Sequence, residues 1–309
     1  MIERTPVLNI VTHLILLTGA VLMLLPLWIA FVAATHDITA VNTAPVEMWP
    51  GPHLFVNVAE AWEKSDFGTK FLNTFIVAVG VVTGKIVLAC VTAFSIVFFN
   101  YRGRMVIFWL IFITLMLPLE VRIVPTYAVA ANALQPFQVM MDVTGLSWLI
   151  RTVSGIEVAL NWNLLNSYTG LILPLVATAT GTFIYRQFFL TIPDELVEAA
   201  KMDGAGPLRF LKDILIPLSL TNMAALATIM FVYAWNQYLW PLLVITDRAN
   251  YGLVVVELGN LVPDTLTTGG GTPTWHLAMA ATLMVMIPPI LVVILMQRWF
   301  VRGLINTDK

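Results

Sequence analysis

The stretch Glu198-Ala-Ala-Lys-Met-Asp-Gly-Ala-Gly-Pro-Leu-Arg-Phe-Leu-Lys-Asp-Ile-Leu-Ile-Pro-Leu218 is a polar island between two long apolar runs. Its spacing predicts a short helix, a glycine stop and a second short helix. Pro193 suits a first helical turn, where its missing N–H costs nothing. Asp194 and Glu195 then sit at the positive end of the helix dipole. Leu196, Ala199 and Ala200 share one face at helical spacing. Gly204 is the expected left-handed stop, and Pro207 opens the second helix with Phe210 and Ile214 on one apolar side. Small residues at Ala199, Ala200, Gly204 and Ala205 permit close approach by another protein, while Glu198 and Asp203 offer charge to a basic partner. On physics alone, a plain connection lying on a membrane surface fits equally well.

The chain has 309 residues, of which 59% are hydrophobic and only 11% charged. A soluble domain carries roughly 25% charged residues, so the solvent of this surface is largely lipid. A net charge of −2 gives no reason to expect a nucleic-acid partner. The single cysteine, Cys90, excludes a disulfide within the chain and reads as a small packing residue.

A bilayer core needs roughly 20 apolar residues as helix. Six runs qualify: about Val11–Ala34, Phe71–Phe99, Met105–Val129, Tyr168–Leu190, Pro217–Ile245 and Leu277–Phe300. Val32-Ala33-Ala34 resembles a signal cleavage site, but the apolar run is longer than a signal core of roughly 7–15 residues, so a retained helix is expected. Arg4, Arg102, Arg104, Arg186, Lys201, Arg209, Lys212, Arg298, Arg302 and Lys309 fall on one side of these runs. The other side holds Lys64, Lys70, Arg151 and Arg248. Cytosolic loops carry the excess of Lys and Arg, which predicts an all-α integral membrane protein with both termini and the loop of about 191–217 in the cytosol. Trp49, Trp62, Trp148, Trp162, Trp240 and Trp275 fall in or near the opposite loops, as interfacial aromatics do. Thr267-Thr-Gly-Gly-Gly-Thr-Pro273 reads as a flexible outer turn. The chain reads as one transmembrane domain, 1–309.

Ionisable residues at membrane depth are costly and are functional candidates. Lys85 lies near the middle of the second run. Gly80-Val-Val-Thr-Gly-Lys-Ile86 is not a phosphate-binding loop: it has one residue too few between the glycines and lacks the following Ser or Thr. Glu120 and Arg122 sit between Pro118 and Pro125, prolines that break or kink a helix. A broken helix at membrane depth is tolerated where it lines a cavity. The planar fork of Arg122 suits phosphate oxygens; alternatively Glu120 and Arg122 pair and hold a gate. Trp235, Asn236, Gln237 and Tyr238 fall toward the outer half of their run, where they could stack on and hydrogen-bond a polyol or serve as an aromatic anchor. His13, His36, His53 and His276 lack metal spacing, and the last three read as exposed loop histidines. No catalytic cluster is suggested.

Glu198-Ala199-Ala200, Gly204, Ile214 and Pro217-Leu218 together resemble the EAA loop of binding-protein-dependent ABC importers. Six runs with this loop between the fourth and fifth look like the carbohydrate-type permeases related to the maltose importer, and Ala234-Trp-Asn-Gln-Tyr-Leu-Trp-Pro-Leu-Leu243 resembles a second signature. Phe112–Ile123, Tyr185–Phe189, Ile192–Leu196 and Met296–Leu304 are similar to a narrower group, the E-type permease subunits of sn-glycerol-3-phosphate importers. The resemblance implies a type I ABC importer permease fold with six transmembrane helices in a bacterial inner membrane. It also implies that Glu198, Ala199, Ala200, Asp203 and Gly204 meet an ATPase. The implied partners are a second homologous permease, a homodimeric ATP-binding subunit that holds ATP and Mg, and a periplasmic or lipid-anchored solute-binding protein. No cofactor or metal is expected in this chain itself. Cargo could also be another sugar, polyol or glycerophosphodiester, and the competing class is an ion-coupled secondary transporter with Glu120 as its deep carboxylate. One departure from the family is a stretch of about 132–165 where a short outer connection is expected. Leu146, Leu149, Ile150 and Val153 predict an amphipathic helix there, either a lid or an added contact for the solute-binding protein.

Overall fold

The computed structural model describes residues 6–45, 47–157, 159–177, 179–261 and 272–305. All regular structure among them is helical. Among the described residues, three helices are long and apolar enough to cross a membrane: Val7–Ala34, Phe67–Phe98 and Trp275–Arg298. Two bent pairs raise the number to as many as five. The side chains of Arg4, Glu120, Arg302 and Lys309, and most of the expected turn at 267–273, lie outside the described set.

The chain divides into two compact units. The first comprises Met1–Lys70 with Val254–Pro288. Here α1 (Pro6–Ala34) leaves almost all of its apolar surface exposed, as a lipid-facing or partner-facing helix does. Its C-terminal carbonyls need donors. Asn57, on α2 (Leu54–Lys64), supplies them: its Nδ2 donates to the carbonyls of Ala34 and His36, each at 2.8 Å. Gly51 passes so close that a Cβ would lie 2.7 Å from the Thr35 carbonyl oxygen, so no larger residue fits. His36 and His276 are buried rather than exposed. The His36 ring bonds the Trp49 carbonyl through Nε2 at 2.8 Å, and His53, next to the start of α2, is exposed as expected.

The second unit comprises Phe71–Leu253 with Pro289–Lys309. Its axis is the body of α3 (Phe67–Phe98). Gly80 and Gly84 form a small-xxx-small stripe that lets helices approach closely. A Cβ on Gly80 would meet Ile172 at 2.6 Å, and one on Gly84 would meet Val176 at 2.7 Å. The glycines of the rejected phosphate-loop pattern therefore serve packing against the helix Tyr168–Val176. Cys90 is buried as a packing residue, as expected.

The run at 105–129 is not one helix but two, α4 (Arg104–Met116) and α5 (Leu119–Ala131). Pro118 forces Leu117 into an extended conformation with ψ 127°, since the residue before proline is pushed out of the helical region. Pro125 lies within α5. Two helices follow in the insert, α6 (Gln135–Val143) and α7 (Leu146–Ser154). The run at 168–190 is α8 (Tyr168–Val176) and α9 (Ala179–Phe189), bent by 48°. The polar island folds as α10 (Asp194–Met202) and α11 (Pro207–Leu218), the latter with a π-helical turn at Leu211–Leu215. A 74° bend leads into α12 (Leu220–Trp235). That helix stops short of the expected Ile245, and α13 (Leu239–Val244) is separate. Trp240 is fully buried and donates from Nε1 to the Gly170 carbonyl at 3.1 Å, so it is a core residue and not an interfacial one. Trp49, Trp148 and Trp162 are exposed.

Candidate functional site

Two places carry the chemistry: the polar island and a cavity deeper in the second unit. Pro193 caps α10, and Asp194 and Glu195 occupy its first turn, as the sequence predicts. Gly204 is left-handed, with φ +70°. The amide of Ala205 donates to the Ala200 carbonyl at 2.9 Å and that of Gly204 to the Lys201 carbonyl at 3.0 Å. This pair of bonds is the Schellman closure that satisfies the last carbonyls of a helix.

The island is bolted to the unit by apolar side chains. Ala200, Phe210, Leu211 and Leu215 are buried in one cluster with Ala89, Cys90 and Phe94 of α3, Tyr185 and Phe189 of α9, and Leu226 and Met230 of α12. The Phe98 ring bridges edge-on to Phe210 at 5.4 Å and Phe189 at 5.8 Å. A cleft of about 180 Å³ remains between these rings and Val197, Ala200, Lys201 and Ala205. The predicted shared face is therefore divided. Ala200 turns inward with Val197, while Glu198, Ala199, Asp203 and Gly204 are exposed beside Met202 and Leu208.

The cavity measures about 270 Å³ and lies among α3, α5, α9 and α12. Lys85 from α3, Arg122 from α5 and Tyr233 from α12 line it, with Ala177, Thr180 and Met230. Lys85 is 5% exposed, and its Nζ stands 4.7 Å from the centre of the Tyr233 ring. Arg122 Nε is buried without a hydrogen-bond partner among the described residues. The Thr126 hydroxyl donates to the Arg122 carbonyl at 2.6 Å, tying the backbone turn that follows the break at Pro118.

Lys85 and Arg122, separate candidates in the sequence, thus meet in one site. The Trp235–Tyr238 stretch does not line it. Trp235 is buried and stacks on Phe231 at 5.6 Å. Asn236 Nδ2 donates to the Val232 carbonyl at 2.9 Å, and Gln237 Nε2 to the Tyr233 carbonyl at 3.2 Å. These amides finish α12 by occupying its last carbonyls. Tyr233 was not a sequence candidate; its place one half-turn before Trp235 on α12 gave the signal, once paired with the depth of Lys85. No cluster of His, Cys, Asp and Glu suited to a metal occurs among the described residues.

Residues 85–306 match the family described as binding-protein-dependent transport system inner membrane component, and the chain belongs to that family. It is 45% identical over 315 residues to the sn-glycerol-3-phosphate transport system permease protein UgpE of Yersinia pestis, with 100% of each chain covered. Identity and coverage are the same for the protein of that name from Escherichia coli strain K12. Among solved structures, it is similar to a chain of a bacterial ABC transporter involved in the import of the acidic polysaccharide alginate. The TM-score is 0.71 at 21% identity, covering 97% of this chain and 99% of that one. The fold is that of an ABC importer permease, and the chain is an inner-membrane transport subunit, as the EAA-like loop led us to expect.

Proposed function

We propose that this chain is a permease subunit of an ATP-driven, binding-protein-dependent importer that carries sn-glycerol 3-phosphate into the cell. The observation that carries the cargo is the 45% identity, over the full length of both chains, to relatives named for that solute. The chain works as one permease domain, 1–309, with six spans. α4 and α5 together make the third span, broken at Pro118, and both termini face the cytosol, a reading supported by the distribution of Lys and Arg.

The loop of about 191–217 is the coupling element. Glu198, Ala199, Asp203 and Gly204 meet the ATP-binding subunit, and Ala200 seats the same helix on the permease. Partners are a second homologous permease, a pair of ATPase subunits holding ATP and Mg, and an outer solute-binding protein. Lys85 and Arg122 belong to the pathway. Trp235, Asn236 and Gln237 act as the stop that fixes Tyr233 within it, with Tyr238 following, and Glu120 acts at the break of the third span. The insert of about 132–165 adds a contact for the solute-binding protein.

The test is uptake of labelled glycerol 3-phosphate by the reconstituted assembly. Uptake should require ATP and the ATPase subunits. Uptake that persists without either, and follows a proton or sodium gradient, would establish a secondary transporter instead. Glu198→Arg should abolish stimulation of the ATPase while leaving membrane insertion unchanged.

A further inference from the structure

The cavity at Lys85 has an unbalanced charge. Two cations line it, and neither has a carboxylate within ion-pair distance among the described residues. A cation buried at membrane depth without a partner is costly. It persists in proteins when it faces an opposite charge or a wet cavity. Lys85 is held in place by the face of Tyr233, which attracts a cation but leaves its ammonium donors free. Arg122 keeps a buried Nε–H without a partner among the described residues. Thr180, also in the lining, brings a hydroxyl. At about 30 Å³ per water, a cavity of about 270 Å³ has room for a phosphate group with a short polyol.

We propose that this cavity is a dianion site in the translocation pathway, where Lys85 and Arg122 jointly hold the phosphate monoester of the cargo. The inference rests on the importer reading and adds to it which class of cargo the pathway favours. A phosphate monoester carries a charge of about −1.5 to −2 at neutral pH, which matches two cations. A phosphodiester carries a single negative charge, so one cation stays uncompensated. A neutral polyol leaves both uncompensated. The site therefore ranks monoester above diester above neutral polyol, independently of the solute-binding protein. The guanidinium meets two phosphate oxygens with its fork, and the ammonium acts as a point charge on the third.

The measurement is binding of inorganic phosphate and of glycerol 3-phosphate to the detergent-solubilised permease–ATPase assembly without its solute-binding protein. Saturable binding that weakens with salt, and that glycerol does not displace, is expected. Lys85→Gln and Arg122→Gln should each weaken it about tenfold or more, as loss of a charge-assisted hydrogen bond does. Lys85→Arg should restore most of it. In proteoliposomes with the complete assembly, the same Gln variants should lower monoester uptake about tenfold and lower neutral-polyol uptake much less. Unchanged phosphate binding in both Gln variants would overturn the proposal. So would an equal loss for monoester, diester and neutral polyol, which marks an internal or partner counter-ion such as Glu120. A wild-type assembly that binds phosphate yet takes up no glycerol 3-phosphate would leave the site standing and remove only the cargo.

Discussion

The two polar excursions of the second unit, the island at 191–217 and the insert at 132–165, are similar in helical content and opposite in how they are held. The island places Ala200, Phe210, Leu211 and Leu215 in the same apolar cluster as α3, α9 and α12. The insert's helices, α6 and α7, carry no buried residue. Hydrogen bonds hold it instead: the amides of Ala133 and Leu164 donate to the carbonyls of Trp162 and Ala130, each at 2.9 Å, and side-chain amides add to them. Asn132 Oδ1 accepts from the amides of Leu134 at 3.2 Å and Trp162 at 3.1 Å, and its Nδ2 donates to the Leu160 carbonyl at 3.2 Å. Gln138 Oε1 accepts from the Leu160 amide at 2.9 Å. Close-packed cores transmit displacement because they resist deformation. Hydrogen bonds at a half-wet surface exchange with water and transmit little. The island is packed into the spans and the insert is not, a difference that fits the coupling and docking roles proposed for them.

The strongest break in this contrast is Phe210→Ala. It removes the ring that Phe98 contacts and opens a cavity beneath α11, at a cost of about 3–5 kcal/mol. Thermal unfolding of the solubilised chain should shift strongly downward, and ATPase stimulation should fall even where protein survives. A variant of wild-type stability would show that the island is not seated as described. Next in size is Asn132→Ala, which removes hydrogen bonds to three partly hydrated backbone groups and costs about 0.5–1.5 kcal/mol locally. Hydrogen exchange should rise across 132–165 and stay unchanged across 191–217. Equal acceleration in both segments would remove the distinction.

The island was legible in the sequence because its signals are local. Pro193, the acidic first turn, Gly204 and Pro207 are punctuation that works within a few residues. In the insert, α7 was legible for the same reason, from Leu146, Leu149, Ile150 and Val153, whereas α6 was not expected. What spacing could not give was orientation between helices. Ala200 and Ala199 are sequence neighbours, yet only the first is buried, because α3 and α11 decide which side is inward. Gly80 and Gly84 were weighed as a phosphate loop, whereas their partners, Ile172 and Val176, lie far along the chain. Lys85 and Arg122 each looked exceptional alone; their convergence with Tyr233 is a tertiary fact. Trp240 and the Asn236–Gln237 pair were read by composition, but a buried carbonyl and a helix end claim them.

Gly204→Ala tests the island at its own stop. The residue has φ +70°, where a Cβ costs about 1–2 kcal/mol, and nothing lies within 4 Å of the added methyl. The penalty is therefore conformational alone. Unfolding should shift slightly, while the Ala205–Ala200 closure loosens and ATPase stimulation drops more than stability does. An effect on stability as large as that of Phe210→Ala would mean the turn, and not the buried rings, carries the island.

The smallest effect should come from Arg151→Ala in the insert. Arg151 Nη1 pairs with Glu157 at 3.0 Å, but the two side chains are 69% and 72% exposed. Pairs this open contribute about 0–1 kcal/mol and weaken with salt. If Asn132 and Gln138 hold the insert, Arg151→Ala should leave hydrogen exchange across 132–165 nearly unchanged, and raising the salt concentration should have equally little effect on the wild type. A marked, salt-sensitive loosening would instead make the insert an electrostatic latch. Its attachment would then respond to ionic strength, and the contrast with the apolar seat of the island would become one of regulation as well as rigidity.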